Sequence, residues 1–329
     1  MKFSDFAGWI PIQVCWHQAQ PTVEWSYLGD IRFTEPFFDQ TIERSFQHPF
    51  NLLFRRQTSL AALTELQTIQ PGIAPTGFIF HLSRCGSTLV AQMLASLPQA
   101  IVISEAGPID AVLHPRRQTT ITPDDQRRWL QGMVHALGQQ RTGNEKYYFI
   151  KFDSWHTLDL ALIQEAFPNT PWIFIYRDPV EVMVSNLKQP SAQMIPAAVG
   201  TGLPGLDLSS RLQISPEEYC ARVLARFCQA VLEHHHPGAL LVNYCQLPEF
   251  VGSTLLDFFQ INYTSADMER MRHVSQFDTK KPDRKFANDT PSKNQLATDL
   301  IRQMADRWLS ELYVRLESKR EAISLASFR

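Results

Sequence analysis

The stretch GFIFHLSRCGSTLVAQMLASL, residues 77–97, decides how the rest of the chain is read. GFIFHL is a short, continuously apolar run, a polar turn containing Gly86 follows, and from Ser87 to Leu97 the apolar residues recur at helical spacing. Strand, tight turn and helix in that order bring several unpaired backbone N–H groups and the positive end of a helix to one point, which suits an anionic phosphate. Gly86 lets backbone approach a ligand, Arg84 offers charge-assisted hydrogen bonds, and the hydroxyls of Ser83, Ser87 and Thr88 add neutral ones. Cys85 lies beside the helix N-terminus, a position that can lower a thiol pKa, yet nothing around it reads as a partner for thiol chemistry. Its expected role is to fill space. A nucleoside-triphosphatase loop of the form GxxxxGK[ST] carries a lysine after its second glycine; here Ser87 stands there, which weighs against kinase and ATPase readings.

Downstream the same grammar repeats. AIVISE (100–105), YYFIKF (147–152), PWIFIYR (171–177) and GALLVNY (238–244) read as buried strands. Helices are expected between them, from about Thr157 to Phe167, from Val180 to Leu187 and from Gly252 to Phe259. Continuous apolar strands alternating with helices imply a central, mainly parallel sheet covered on both faces, an α/β domain of three layers. A further helix starts at Ser215, with Glu218 completing a capping box, and runs to about His235.

Residues 1–70 read differently. IPIQVCW and TVEWSYL are β-like runs, and two helices follow, one after Thr34 with Glu35 in its opening turn and one after Ser59. This stretch is expected to pack on the main domain, residues 71–329. Within the latter, residues 188–212 are rich in Pro, Gly and Ser and too long for an ordinary connection, which marks either a mobile lid or a disordered segment.

A formal net charge of −2 over 329 residues provides no overall basic field, so nucleic acid and anionic membrane are not expected partners. Five dispersed cysteines suggest neither a disulfide framework nor a zinc spacing, and a reducing cytoplasm is the simpler setting. The first residues do not read as a signal peptide, and no apolar window reaches the length of a membrane span. His234, His235 and His236 are consecutive on a helix end and therefore point apart; a solvated helix terminus is expected there, not a metal site.

About ninety residues beyond the first turn, IYRDPVEVMVS repeats the device. A strand ends in Arg177, Asp178-Pro179 begins the turn, and Ser185 lies on the following helix, so a guanidinium and a hydroxyl can converge on one oxyanion. Two anion seats on neighbouring strands imply a ligand with two separate phosphates. In these two motifs, FHLSRCGSTL and IYRDPVEVMVS, the chain resembles the sulfotransferases that use 3′-phosphoadenosine-5′-phosphosulfate (PAPS). The resemblance spans roughly residues 77–290 and includes LVNYCQLPEFVGSTLLDFF, similar to the family's YEDL strand and leucine-rich helix, with YCQL in place of YEDL. It implies a nucleotide-triphosphatase-like sulfotransferase fold in which Ser83, Arg84, Cys85, Gly86, Ser87 and Thr88 hold the 5′-phosphosulfate and Arg177 and Ser185 the 3′-phosphate. Adenosine 3′,5′-bisphosphate is then the product, and no metal is needed. Arg84 stands where cytosolic members carry lysine, as in carbohydrate-type and bacterial members.

Family chemistry also implies a base taken from histidine or a carboxylate. Three residues compete: Glu105 at the end of AIVISE, whose carboxyl could be raised toward a working pKa by burial; Asp153, in the place of the histidine of the family's KTH pattern; and His114 on a loop. Lys151 takes the place of the KTH lysine and is expected to steady the departing phosphate or sulfuryl oxygens. Lys281 and Arg284, in the basic run TKKPDRKF, resemble the late basic loop that closes over the 3′-phosphate. The acceptor is expected to be a small molecule or glycan-like compound with a hydroxyl or amine. A kinase or triphosphatase with a degenerate loop, and a noncatalytic nucleotide-binding protein, remain as alternative functions.

Overall fold

A computed structural model describes residues 6–17, 20–115, 121–195, 214–278, 281–285 and 290–326. Five strands form the central sheet: β4 (Gly77–His81), β5 (Ala100–Ser104), β6 (Tyr147–Lys151), β7 (Trp172–Tyr176) and β8 (Ala239–Asn243). They lie in the order β5-β6-β4-β7-β8, and every neighbouring pair is parallel. Four of them, β4, β5, β6 and β7, are the apolar runs most continuous in the sequence, and all but one of their residues are buried. Burial on both faces demands helices on both faces. These include α4 (Ser87–Ala95), α5 (Gly107–Leu113), α6 (Pro123–Leu137), α7 (Leu160–Ala166) and α8 (Pro179–Lys188), joined by the long helices Pro216–His234 and Asp299–Ala326.

The order of the strands matters for function. From β4 the chain passes to β5 and returns through β6 on one side, then crosses to β7 and β8 on the other, so the winding direction reverses around β4. At such a reversal the loops leaving the carboxyl ends of the strands diverge and open a crevice. Ladder bonds continue past the strand ends and hold the first residues of those loops: Leu82 N–H donates to the Ile175 carbonyl at 2.9 Å, Glu105 N–H to Lys151 at 2.7 Å, and Phe152 N–H to Ile79 at 3.0 Å.

The N-terminal part forms a separate antiparallel sheet of β1 (Trp9–His17), β2 (Gln20–Tyr27) and β3 (Arg56–Ser59), in the order β1-β2-β3. It includes α1 (Phe38–Ser45), α2 (Pro49–Leu53) and α3 (Ala62–Ile69). The sheet packs against α5 and α6, where Trp16 meets Trp129 with ring centroids 6.3 Å apart. The Arg32 guanidinium donates at 2.9 and 2.8 Å to the carbonyls of Ala95, the last residue of α4, and Leu97 just beyond it.

Two expectations need correction, and one strand was not foreseen. The first N-terminal helix begins at Phe38, not directly after Thr34, because Glu35 instead bonds the Thr41 hydroxyl and the Arg44 guanidinium from outside the helix. β3 reads RQTS, with no apolar period to reveal it. The histidine run is not a freely solvated end: His236 Nε2 accepts the indole N–H of Trp172 at 2.9 Å, and His235 lies against the same ring. Of the segment read as a lid or a disordered stretch, residues 196–212 lie outside the described set. Among the described residues, no helix is long and apolar enough to cross a membrane.

Candidate active site

A cavity of about 850 Å³ opens at the carboxyl ends of the strands, where the winding reverses. Its floor is the turn after β4. Ser83, Arg84 and Gly86 all take left-handed backbone conformations, with φ of 69°, 52° and 88°. Only glycine does so freely, so the two non-glycine residues store backbone strain of about 1–3 kcal/mol each. The surroundings enforce that shape: Ser83 N–H donates to His81 Nδ1 at 3.1 Å, and its hydroxyl lies 3.3 Å from Asn186 Oδ1. A Cβ on Gly86 would come within 2.9 Å of both Tyr244 and Leu247, so backbone alone fits there. The opening turn of α4, Ser87 to Leu89, lines the cavity, as the sequence leads one to expect of an anion seat. Arg84 donates to Gln189 Oε1 at 2.8 Å across the mouth.

Cys85 in the same turn is fully buried, its thiol donating to the Ile175 carbonyl at 3.0 Å. The lowered thiol pKa that its position suggested is not found. Burial pushes it up to about 11, against the bonds and positive charges nearby, and leaves it a space-filling group.

The second seat lines the same cavity, at the end of the strand next to β4. Arg177 follows β7 and is 3% exposed. Its Nε donates to Glu181 Oε2 at 2.6 Å, its Nη2 to the Thr290 hydroxyl at 3.0 Å, and the guanidinium stacks 3.8 Å from the Tyr244 ring centroid. Asp178 caps α8 by accepting the Glu181 N–H at 3.1 Å, which fixes where Glu181 stands. Ser185, also lining the cavity, donates to the Glu181 carbonyl at 2.8 Å. Tyr244, Glu181 and Thr290 were not picked out as site residues. Glu181 carried a sequence signal, four residues after Arg177 in the first turn of the helix that follows, whereas Thr290 carried none because the chain returns to the site only through tertiary packing.

The acids stand on the other side of the first seat, beyond the ends of β5 and β6. Glu105, at a φ of 56°, binds the Lys151 ammonium and lies 3.5 Å from His81 Nε2. Burial alone would raise its carboxyl, but the Lys151 charge and His81 outweigh burial and hold it well below the usual carboxylate range. The raised pKa expected for Glu105 is therefore corrected. Lys151 is wholly buried, does not line the cavity, and spends its charge on Glu105. Asp153 lines the cavity, and its carboxyl is pushed up to about 7 by burial, with Glu105 and Asp110 adding to the rise and His156 and Lys151 opposing it. His114 is outside the cavity, held between Asp110 at 3.0 Å and Asp159 at 3.1 Å. Those partners overcome burial and raise its pKa to about 10, so it stays protonated at neutral pH and cannot serve as a base.

Phe37 and Trp155 add aromatic walls next to Asp153, and Lys188, Ser292 and Lys293 form part of the rim. Lys281 and Arg284 belong to a short strand, Lys281–Lys285, but their side chains lie outside the described set.

The profile of the sulfotransferase family matches residues 75–247, which include every strand of the central sheet and both seats. Among solved structures, the chain is similar to the sulfotransferase domain from the curacin biosynthetic pathway, at 16% identity and a TM-score of 0.44, over 72% of this chain and 97% of that one. It is similar also to the sulfotransferase domain of the Synechococcus PCC 7002 olefin synthase, at 16% identity and a TM-score of 0.40, over 76% and 95% of the two chains. A sulfotransferase from Alicyclobacillus acidocaldarius shows 14% identity and a TM-score of 0.39, over 73% and 96%. No curated protein matches the sequence significantly.

Proposed function

The chain belongs to the sulfotransferase family, and from that premise we propose that it moves the sulfuryl group of PAPS to a hydroxyl or amine of a small or glycan-like acceptor. One observation carries the proposal: a single cavity is lined both by the turn Ser83–Leu89 and by Arg177 with Ser185, so one bisphosphorylated adenosine can reach both seats. The cradle also fits such a ligand chemically, since the opening turn of α4, Ser87 to Leu89, and Arg84 line the same cavity.

In this reading the turn after β4 and Arg84 bind the 5′-phosphosulfate, and Arg177 and Ser185 bind the 3′-phosphate. Asp153 is the base. It accepts the proton of the acceptor's hydroxyl or amine as the new bond to sulfur forms and the bond from sulfur to the phosphate oxygen breaks. Charge developing on the departing phosphate is met by the first turn of α4 and Arg84, which are in place before reaction. Glu105 and Lys151 act as a buried pair that shapes the cavity, with Glu105 raising the basicity of Asp153. Work in the cytoplasm, on an acceptor that is not nucleic acid, fits the five free cysteines and the absence of a basic field.

Adenosine 3′,5′-bisphosphate at a hundred times its dissociation constant is expected to stabilise the folded protein by about 2.7 kcal/mol, read as a rise in melting temperature. A folded preparation whose melting temperature ignores the bisphosphate, but rises with magnesium and ATP, would sink the proposal in favour of a triphosphatase.

A further inference from the structure

Behind the wall that carries Asp153 lies a polar cluster that the reaction does not obviously need. Asp110, on α5, gathers three N–H donors onto one carboxylate oxygen: Trp155 Nε1 at 2.7 Å, His156 Nε2 at 2.8 Å and His114 Nδ1 at 3.0 Å. Trp155 and His156 sit on the 3-10 turn Ser154–Asp159 that follows Asp153 directly. His156 is 1% exposed, and its Nδ1 accepts the backbone N–H of Asp153 at 3.3 Å. An accepting Nδ1 places the ring proton on Nε2, from where it is donated to Asp110. Both ring nitrogens are thus committed, one to the base residue and one to a carboxylate on another element.

We propose that Asp110 and His156 are positioning residues for sulfuryl transfer: Asp110 sets the tautomer and orientation of His156, His156 anchors Asp153, and the bond from Trp155 ties the adjoining cavity wall to the same carboxylate. This rests on the reading of Asp153 as the base. Asp153 lies two residues past the end of β6, and the ladder bond of Phe152 to β4 fixes its backbone from one side; the cluster fixes it from the other. A carboxyl that must meet an acceptor proton within hydrogen-bond reach gains rate from being held, and an error of about 1 Å can cost on the order of 100-fold.

The same cluster invites a different reading. Donor atoms of Asp110, His114 and His156 lie within 4.8 Å of one another, as metal ligands do. A cation on His156 Nε2 would, however, drive the ring proton to Nδ1, directly against the N–H of Asp153. The observed contacts favour the hydrogen-bonded network, and the experiment below separates the two.

Groups facing Asp153 come from every side: His156 from its own turn, Glu105 after β5, Lys151 from β6 and Asp110 from α5. Removing the negative charge of Asp110 lowers the Asp153 pKa, so its titration moves to lower pH. The test uses the full chain with selectively labelled His and Asp, nitrogen NMR of the imidazoles, carbon NMR of the carboxyls, and release of adenosine 3′,5′-bisphosphate from PAPS with water as acceptor. In wild type the neutral imidazole of His156 is expected to be the Nε2–H tautomer, with Asp153 titrating near pH 7. In Asp110→Asn the tautomer becomes mixed, the Asp153 titration moves down, and release slows about 10- to 100-fold while the thermal shift with bisphosphate is retained. His156→Asn keeps an acceptor for the Asp153 N–H but loses Asp110, and serves if Asp110→Asn does not fold; it too is expected to slow release. Unmoved titration and rate in a folded variant would overturn the proposal, as would stoichiometric, chelator-reversible binding of zinc that Asp110→Asn abolishes. If Asp153→Asn releases bisphosphate at the wild-type rate while the tautomer coupling is present, the base assignment fails and the coupling survives.

Discussion

Around Gly86 the chain cups the cavity with backbone held in left-handed conformations, whereas around Arg177 it uses a buried guanidinium whose charge is already met by Glu181. The two seats share a cavity and differ in what makes them rigid. In the first, rigidity comes from strain that neighbouring side chains hold in place; in the second, from an ion pair that desolvation would make unfavourable without close bonding. Tyr244 touches both, stacked on Arg177 and within 2.9 Å of where a Cβ on Gly86 would stand. Damage to one seat should therefore register differently in stability and in binding, and Tyr244 is one route by which it should reach the other.

The largest effect is expected from Arg177→Ala. It leaves Glu181 buried without its partner, and a loss of about 3–5 kcal/mol in denaturant unfolding is expected along with loss of bisphosphate binding. Adding Glu181→Ala should restore most of the stability and none of the binding; recovery of both would show that the second seat does not rest on the guanidinium.

Gly86→Ala comes next. The forbidden φ and the crowding against Tyr244 are expected to cost about 1–3 kcal/mol, and by displacing Tyr244 from Arg177 to weaken bisphosphate binding about tenfold, measured by calorimetry. If Gly86→Ala changed binding and left the Arg177 seat's response to Glu181→Gln untouched, the proposed link through Tyr244 would be broken. Arg84 is half-exposed and bonded to a neutral amide, so Arg84→Ala should alter stability by less than about 0.5 kcal/mol, while loss of its charge-assisted bond to the 5′-phosphate weakens bisphosphate binding about tenfold. Smallest of all is the effect expected on thiol labelling. At pH 8 Cys85 should stay unmodified in the native protein, since burial holds its pKa near 11, while exposed Cys245 reacts; rapid native labelling of Cys85 would mean the first seat is far looser than its packing implies.

Much of the fold was legible because its central strands are buried on both faces and so leave unbroken apolar runs, with Gly86 and the Asp178-Pro179 turn as punctuation. β3 was not, because four polar residues at a sheet edge leave no period to read. At the site, the residues on the two turns were legible because strand, turn and helix are local in sequence. Their protonation was not. Glu105 and Lys151 are 46 residues apart, and only the neighbouring of β5 and β6 makes them partners. That pairing lowers the carboxyl expected to rise and leaves Asp153 as the raised one.

The sequence by itself determined the α/β architecture, the two turns and the family, since each strand–turn–helix motif that carries them is written in residues within about twenty positions of one another. Tertiary structure alone decided which charges neutralise each other, that both turns open into one cavity, and that Asp110, Trp155 and His156 meet behind Asp153. The reason is physical: secondary structure follows from local periodicity, whereas a pKa or a hydrogen-bonded cluster follows from distance and burial, which strand order sets and spacing along the chain does not encode.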